Sequence, residues 1–238
     1  MSTLLLRLAA PLQSWGNDSK FERRGTERVP TKSGVIGMIA AAMGRNRNEN
    51  IEDLSHLRFG VRVDQDGVLL RDFHTARSEK NNDSYITHRH YLTDAIFLAG
   101  LEGEEKLLLS IEHAMRHPAY PLFLGRRSCP PDGQVSLGIR YGKELLSALQ
   151  QEHWLAHARS TSIGRKEQLY LRVVMDAESH DQINYIQRDL PISYNPAHRQ
   201  HGFRRITEST VMIRLEASAY NHLWEETTMH DPFEELED

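Results

Sequence analysis

Residues 3–10 read Thr-Leu-Leu-Leu-Arg-Leu-Ala-Ala. Side chains on a strand alternate between its two faces, and here both parities are largely apolar. A run of this kind reads as a buried strand, and the rest of the fold has to be built around it. After Pro11 the chain continues as Leu12-Gln13-Ser14-Trp15-Gly16, and then as a polar, charged loop over 16–31. Pro30-Thr31-Lys32-Ser33-Gly34 opens a helix over 33–43, in which Gly37, Ala40, Ala41 and Gly44 give a smooth side for close approach to a sheet. Ser33 is the expected N-cap, leaving free N–H groups to face an anion. Lys32 stands beside it, and Trp15 offers a flat stacking face just past the strand end. Residues 1–47 hold eight Lys/Arg against three acids, a local +5. This is the makeup of an RNA-binding edge.

The following elements read more unevenly. Residues 57–65 alternate as a strand, Asp66-Gly67 signals a hairpin turn, and 68–74 is the return strand. Residues 75–91 are polar and lack core spacing, and Ser78–Ser84 reads as the tip of an extended hairpin or as a disordered loop. A strand over 94–101 precedes a helix over 104–117. That helix has acids in its first turn, His113, Arg116 and His117 near its end, and Pro118 beyond. A short apolar run then leads to Gly125. The order strand, helix, three strands, helix, strand is close to the βαββαβ arrangement of a ferredoxin-like or RRM-type domain. Residues 143–158 read as a further helix, 168–175 and 210–216 as strands, and 176–209 resists assignment. No repeat or linker divides the chain.

The overall charge of −4 conceals an asymmetry. Residues 221–238 hold seven acids and no Lys or Arg, so residues 1–220 carry 29 basic residues against 26 acidic, a net +3. The acidic tail reads as a solvated terminus; occupation of a basic groove before RNA arrives is the alternative. The single cysteine, Cys129, allows no internal disulfide, which suits a reducing cytoplasm. No stretch approaches the roughly 20 apolar residues of a membrane span, and the N-terminus has no secretory pattern.

Several constellations invite chemistry. Lys32-Ser33-Gly34 fails as a phosphate-binding P-loop, because Thr31 stands where Gly must precede the Lys. Gly125-Arg126-Arg127-Ser128-Cys129-Pro130-Pro131 presents two planar guanidiniums suited to phosphate or to base stacking. Exposed surface charge is its plainer reading. Cys129 reads as a packing residue. His153 and His157 have zinc-helix spacing but lack the Glu of the metalloprotease motif. His88-Arg89-His90 and the pair His198 and His201 lack a carboxylate or Cys at ligand spacing. Metal-independent RNA cleavage needs only a base, an acid and a cation, for which His74, His88 or His90 are candidates. A second basic run, Arg188, Arg199, Arg204 and Arg205, is interleaved with Tyr185, Tyr194 and Phe203. It has the composition of a strand-binding groove or of a partner-facing loop.

Four segments in order, residues 4–16 (LLLRLAAPLQSWG), 30–45 (PTKSGVIGMIAAAMGR), 70–75 (LRDFHT) and 120–130 (YPLFLGRRSCP), resemble the fifth Cas protein family of CRISPR systems, in its type I-E Cascade branch. The resemblance covers roughly residues 1–130 and is loose after about 140. It implies an α+β fold: a ferredoxin-like (RRM/RAMP-type) antiparallel sheet with helices on one face, a protruding β-hairpin thumb at about 71–94 and a strand-rich C-terminal elaboration. The expected organisation is a body over 1–140, an elaboration over 141–220 completing the same domain, and the acidic tail over 221–238. The resemblance also implies a noncatalytic, cytoplasmic subunit without cofactor or metal. Such a subunit would cap the 5′ handle of the crRNA, contact the adjacent backbone subunit and the large subunit, and reach target DNA only through the complex. The implied RNA-binding residues are Gln13, Trp15, Lys32, Ser33, Arg45, Arg77, Lys80, His88, Arg89, Arg126, Arg127 and Ser128. Related type I-C subunits cut precursor repeats, so metal-independent endoribonuclease activity is the alternative.

Overall fold

The computed structural model describes residues 1–16, 23–77, 84–156 and 168–215. In chain order the elements are β1 (Ser2–Ala9), β2 (Leu12–Gln13), β3 (Arg23–Arg24), α1 (Lys32–Ala42), α2 (Glu52–Ser55), β4 (Arg58–Gln65), β5 (Val68–Arg77), β6 (Ser84–Thr93), β7 (Ile96–Gly103), α3 (Glu105–Arg116), β8 (Ser136–Arg140), α4 (Leu145–Gln151), β9 (Gln168–Asp176), β10 (Tyr185–Ser193) and β11 (Gln200–Arg214). The fold is mixed α+β. Seven strands form an antiparallel sheet in the order β10-β11-β9-β4-β7-β1-β8. A second, smaller sheet is built around β6.

The doubly apolar strand lies where its composition demands. β1 is flanked by β7 and β8, with Leu4 opposite Leu101 and Ile139. Leu4, Leu6 and Leu8 share one face with Phe97, Ala99 and Leu101, and pack with Val35, Ile36 and Ile39 of α1 and Leu108, Ile111 and Met115 of α3. Each such side chain contributes about 1.5–3 kcal/mol by leaving water. Leu5 and Leu98 face the other way, with Leu145, Ala148 and Leu149 of α4 and Val173, Met175 and Val211. Helices therefore cover both faces, not one as expected. Two glycines open the second face. Gly60 and Gly100 are cross-strand partners, and a Cβ at Gly100 would stand 2.6 Å from Leu145 Cδ1. Their absent side chains form the seat into which Leu145 and Leu149 fit.

Three expectations need correction. Asp66-Gly67 does not close a hairpin between β4 and β5. Both edges of β4 are taken, by β7 and β9, so the chain leaves the large sheet there and β5 pairs with β6 instead. The strand after α3 is not the apolar run before Gly125 but Ser136–Arg140, whose pattern is broken by Gly138 at φ 90°. The helix expected over 143–158 stops at Gln151, because the buried Arg62 guanidinium draws in the carbonyls of Leu149, Glu152 and His153 while paired with Asp64. His153 is therefore not on a helix, and His157 lies outside the described residues.

The stretch that resisted assignment supplies β10 and the first half of β11. These strands are clasped to the start of α1 by a buried charge network. Lys32 Nζ is 3.0 Å from Asp176 Oδ2, and the Lys32 backbone N–H donates to Asp189 Oδ2 at 2.8 Å. Arg204 bridges the same two carboxylates, 2.8 Å from Asp176 Oδ1 and 2.5 Å from Asp189 Oδ1. No helix among the described residues is long and apolar enough to cross a membrane.

Candidate nucleic-acid interface

The second sheet and the loop beside it carry a cluster of arginines without ion pairs among the described residues. β6 pairs along its whole length with β5, from Val68 opposite Thr93 to Arg77 opposite Ser84. Its other edge takes β2 antiparallel at Leu92–Thr93 and β3 in parallel, with Arg23 beside His88 and Arg24 beside Arg89. The base of the β5–β6 ladder is anchored by Leu92, fully buried, and Tyr91. Farther out the apolar side chains have no core to enter: Phe73 is 66% exposed and Ile86 58%.

A tight loop abuts this sheet. Leu124 N–H donates to the Cys129 carbonyl, Cys129 N–H donates to the Arg126 carbonyl, and Ser14 N–H donates to the Leu124 carbonyl. Leu124 and Cys129 are buried, and burial pushes the Cys129 thiol pKa up, consistent with a packing role. Gly125 has φ 87°, and a Cβ there would stand 1.6 Å from the Ser14 carbonyl oxygen. Only glycine lets the loop close on the chain beyond β2, and closure directs Arg126 across to β3. Its Nη2 donates to the carbonyls of Arg24 at 2.8 Å and Gly25 at 3.4 Å. Its guanidinium lies over the Tyr91 ring, 4.6 Å from the centroid. Burial pushes the Tyr91 hydroxyl pKa up. Hydrogen bonds from Arg126, Ser128 and Arg89, with the Arg126 charge, outweigh that and hold it below the ordinary tyrosine value.

Elsewhere Arg47, Arg188, Arg199 and Arg205 also lack an ion pair among the described residues, but the arginines packed on the fold are matched to carboxylates: Arg45 with Asp53, Arg58 with Glu102, Arg62 with Asp64, Arg140 with Glu152, Arg204 with Asp189. On this face they are not. Among the described residues, Arg23, Arg24, Arg28, Arg71, Arg89, Arg126 and Arg127 have no ion-pair partner. Buried polar atoms almost always have a hydrogen-bond partner, yet Arg89 Nε and Arg126 Nη1 have none. Such a surface is prepared for anions supplied from outside.

The expected site residues divide sharply. Arg77, His88, Arg89, Arg126, Arg127 and Ser128 lie on the second sheet or its adjoining loop, with Arg77, Arg127 and Ser128 exposed. Lys80 lies outside the described residues, as do 78–83 and the acidic tail. The N-terminal residues are employed internally. Gln13 is fully buried; its amide donates to the Leu8 and Ala95 carbonyls, and its Oε1 accepts from Trp15 Nε1 at 3.0 Å. Trp15 is 1% exposed and its ring lies against Gly34, so it offers no stacking face. The cap of α1 is Thr31, whose Oγ1 accepts from Gly34 N–H, rather than Ser33. Lys32 is buried, and its charge and N–H are committed to Asp176 and Asp189. Ser33 accepts at its carbonyl from the Tyr194 hydroxyl. Arg45 forms a two-pronged pair with Asp53 at 2.6 and 2.5 Å. In the second basic run Arg204 is buried and paired, whereas Arg188, Arg199 and Arg205 are exposed. Sequence reasoning missed Tyr91, Arg71, Arg23 and Arg24. The alternation of Arg89 and Tyr91 on one face of a strand was the available signal for Tyr91.

Known proteins agree with this architecture. The family model described as CRISPR-associated protein (Cas_Cas5) matches residues 3–207, and the chain belongs to that family. It is 35% identical over 169 residues to the CRISPR system Cascade subunit CasD of Escherichia coli (strain K12), over 62% of this chain and 75% of that protein. A chain of a CRISPR RNA-guided surveillance complex superposes with a TM-score of 0.76 at 30% identity, covering 89% of this chain and 91% of that one. A crystal structure of a Cas protein gives 0.70 at 35% identity, covering 90% and 99%.

Proposed function

We propose that this protein is the noncatalytic crRNA-binding subunit of a Cascade complex. In this reading it grips the repeat-derived 5′ handle of the crRNA through the second sheet and the 125–128 loop. The observation that carries it is the cluster of arginines without ion pairs, on a chain of this family. The body is read as ferredoxin-like. The β8-β1-β7-β4 order, with α1 between β1 and β4 and α3 between β7 and β8, supports this. The β5–β6 ladder is read as a thumb pressed between RNA and the adjacent backbone subunit, a role supported by its exposed apolar residues. Contact with the large subunit and indirect engagement of target DNA complete the proposal.

The three candidate histidines divide between the two faces of the β5–β6 ladder. Directly paired residues on antiparallel strands share a face. His74 therefore lies with Thr87 and Arg89, and is held 2.8 Å from Asp72. His88 and His90 lie on the opposite face with Phe73 and Arg71. His74 is thereby separated from the other two, which share a face with Arg71. The test is incubation of the purified protein with repeat RNA and EDTA. Retention of intact RNA is expected; site-specific cleavage would establish the endoribonuclease.

A further inference from the structure

We propose that Arg89 and Arg126, positioned by the Tyr91 hydroxyl, form a seat for a single phosphodiester of the RNA backbone. The seat rests on the RNA-binding reading and narrows it to one phosphate. Tyr91 is a β6 residue at the base of the ladder and only 5% exposed. Both guanidiniums and the Ser128 hydroxyl reach its phenol oxygen. Arg89 stands two residues before Tyr91 on β6 and beside Arg24, whose carbonyl holds the Arg126 guanidinium over the Tyr91 ring, so the two cations are close neighbours. Like charges that close repel, and neither guanidinium makes an ion pair among the described residues, Asp72 opposite Arg89 being engaged by His74. Each guanidinium also keeps a buried nitrogen without a partner, Nε of Arg89 and Nη1 of Arg126. The oxygens of one phosphate group would satisfy both nitrogens and neutralise the repulsion.

The surroundings keep the seat in shape when it is empty. The Arg126 guanidinium is held over the Tyr91 ring and by the Arg24 carbonyl. Arg89 and Arg24 are neighbours across the β6–β3 pairing. The phenol acts as a positioning group: it gathers two cations that would otherwise separate, and a bound phosphate takes over the compensation.

The test uses the full chain with a 12-nucleotide oligouridylate carrying either a 5′-hydroxyl or a 5′-phosphate, titrated over a range of salt. Arg89→Gln and Arg126→Gln are suited to this, since each removes the charge and keeps a polar donor, which at position 126 can still face the Arg24 carbonyl. Each should lower the log–log salt slope by about 0.7, the value for one phosphate contact on a single strand. The double variant should also lose about 0.7, because both side chains hold the same phosphate. Tyr91→Phe keeps the ring and both charges; it should weaken binding while leaving the slope at the parent value. A loss of about 1.4 in the double variant would mean two separate phosphates and overturn the seat, as would parental slopes in all variants. An effect confined to the 5′-phosphorylated strand would assign the site to a terminal phosphomonoester, which also overturns the proposal. If the parent binds neither oligonucleotide at low salt, the RNA-binding reading itself fails, a result distinct from either.

Discussion

Gly125 shows how one residue can be required by a backbone rather than by chemistry. At φ 87°, with the Ser14 carbonyl where a Cβ would be, the position demands glycine twice over. Gly125→Ala is expected to cost at least about 1–2 kcal/mol from the left-handed conformation alone. The loop should also move off Ser14, so thermal midpoint and RNA affinity should fall together in melting and binding measurements. His201 offers a second residue-scale expectation. Burial, and then the Arg199 and Arg188 charges, hold its pKa below the usual histidine value, against the pull of Asp189. As pH falls through about 6.5 the unfolded chain takes a proton there that the folded chain refuses until lower pH. Stability from this group is therefore complete above that pH and declines below it. His201→Gln should show a smaller drop in thermal midpoint than the parent between about pH 7.5 and 5.5.

At the scale of elements, the clasp between α1 and the C-terminal strands reverses the expectation for Lys32. An exposed lysine seldom carries stability; one that shares Asp176 with Arg204, at the N-terminus of a helix occupied by Asp189, does. Arg204→Ala would leave Asp189, fully buried, without its arginine. The expected cost is about 3–5 kcal/mol, measurable by denaturant unfolding. The network joins residues 144 and 157 positions apart, and nothing in local spacing announces it. The β5–β6 ladder behaves in the opposite way. Phe73 is exposed and supports no core, so Phe73→Ala should change the stability of the isolated subunit by no more than about 0.5 kcal/mol. The same variant should reduce co-purification with the other subunits of the complex. Full assembly by it would remove Phe73 from the partner-facing surface.

For the molecule as a whole, the two sheets divide the labour: the large one supplies the core, and the small one, with its adjoining loop, holds arginines whose charge the described residues leave open. Replacing residues 73–88 by a short Gly-containing turn should barely alter the thermal midpoint. It should impair assembly, as judged by size-exclusion of the reconstituted complex. Local pattern made much of the frame legible. The doubly apolar run became the inner strand β1, the small-residue segment became α1, the acid-first, base-last segment became α3, and the ordered motifs pointed to the family. Those features follow from side-chain periodicity and end effects within a few residues, which a sequence displays directly. Burial of charge is different. Whether Lys32, Arg45 or Arg204 meets a carboxylate, and Arg89 or Arg126 does not, depends on residues brought together from distant parts of the chain. The same holds for Trp15, whose ring found Gly34 instead of a base, and for Asp66-Gly67, where occupied strand edges turned an apparent hairpin into a passage between sheets. Sequence by itself determined β1, α1, α3 and the family. Tertiary structure alone decided which cations were spent inside the fold and which were left without a carboxylate, because compensation of charge is a matter of distance in space.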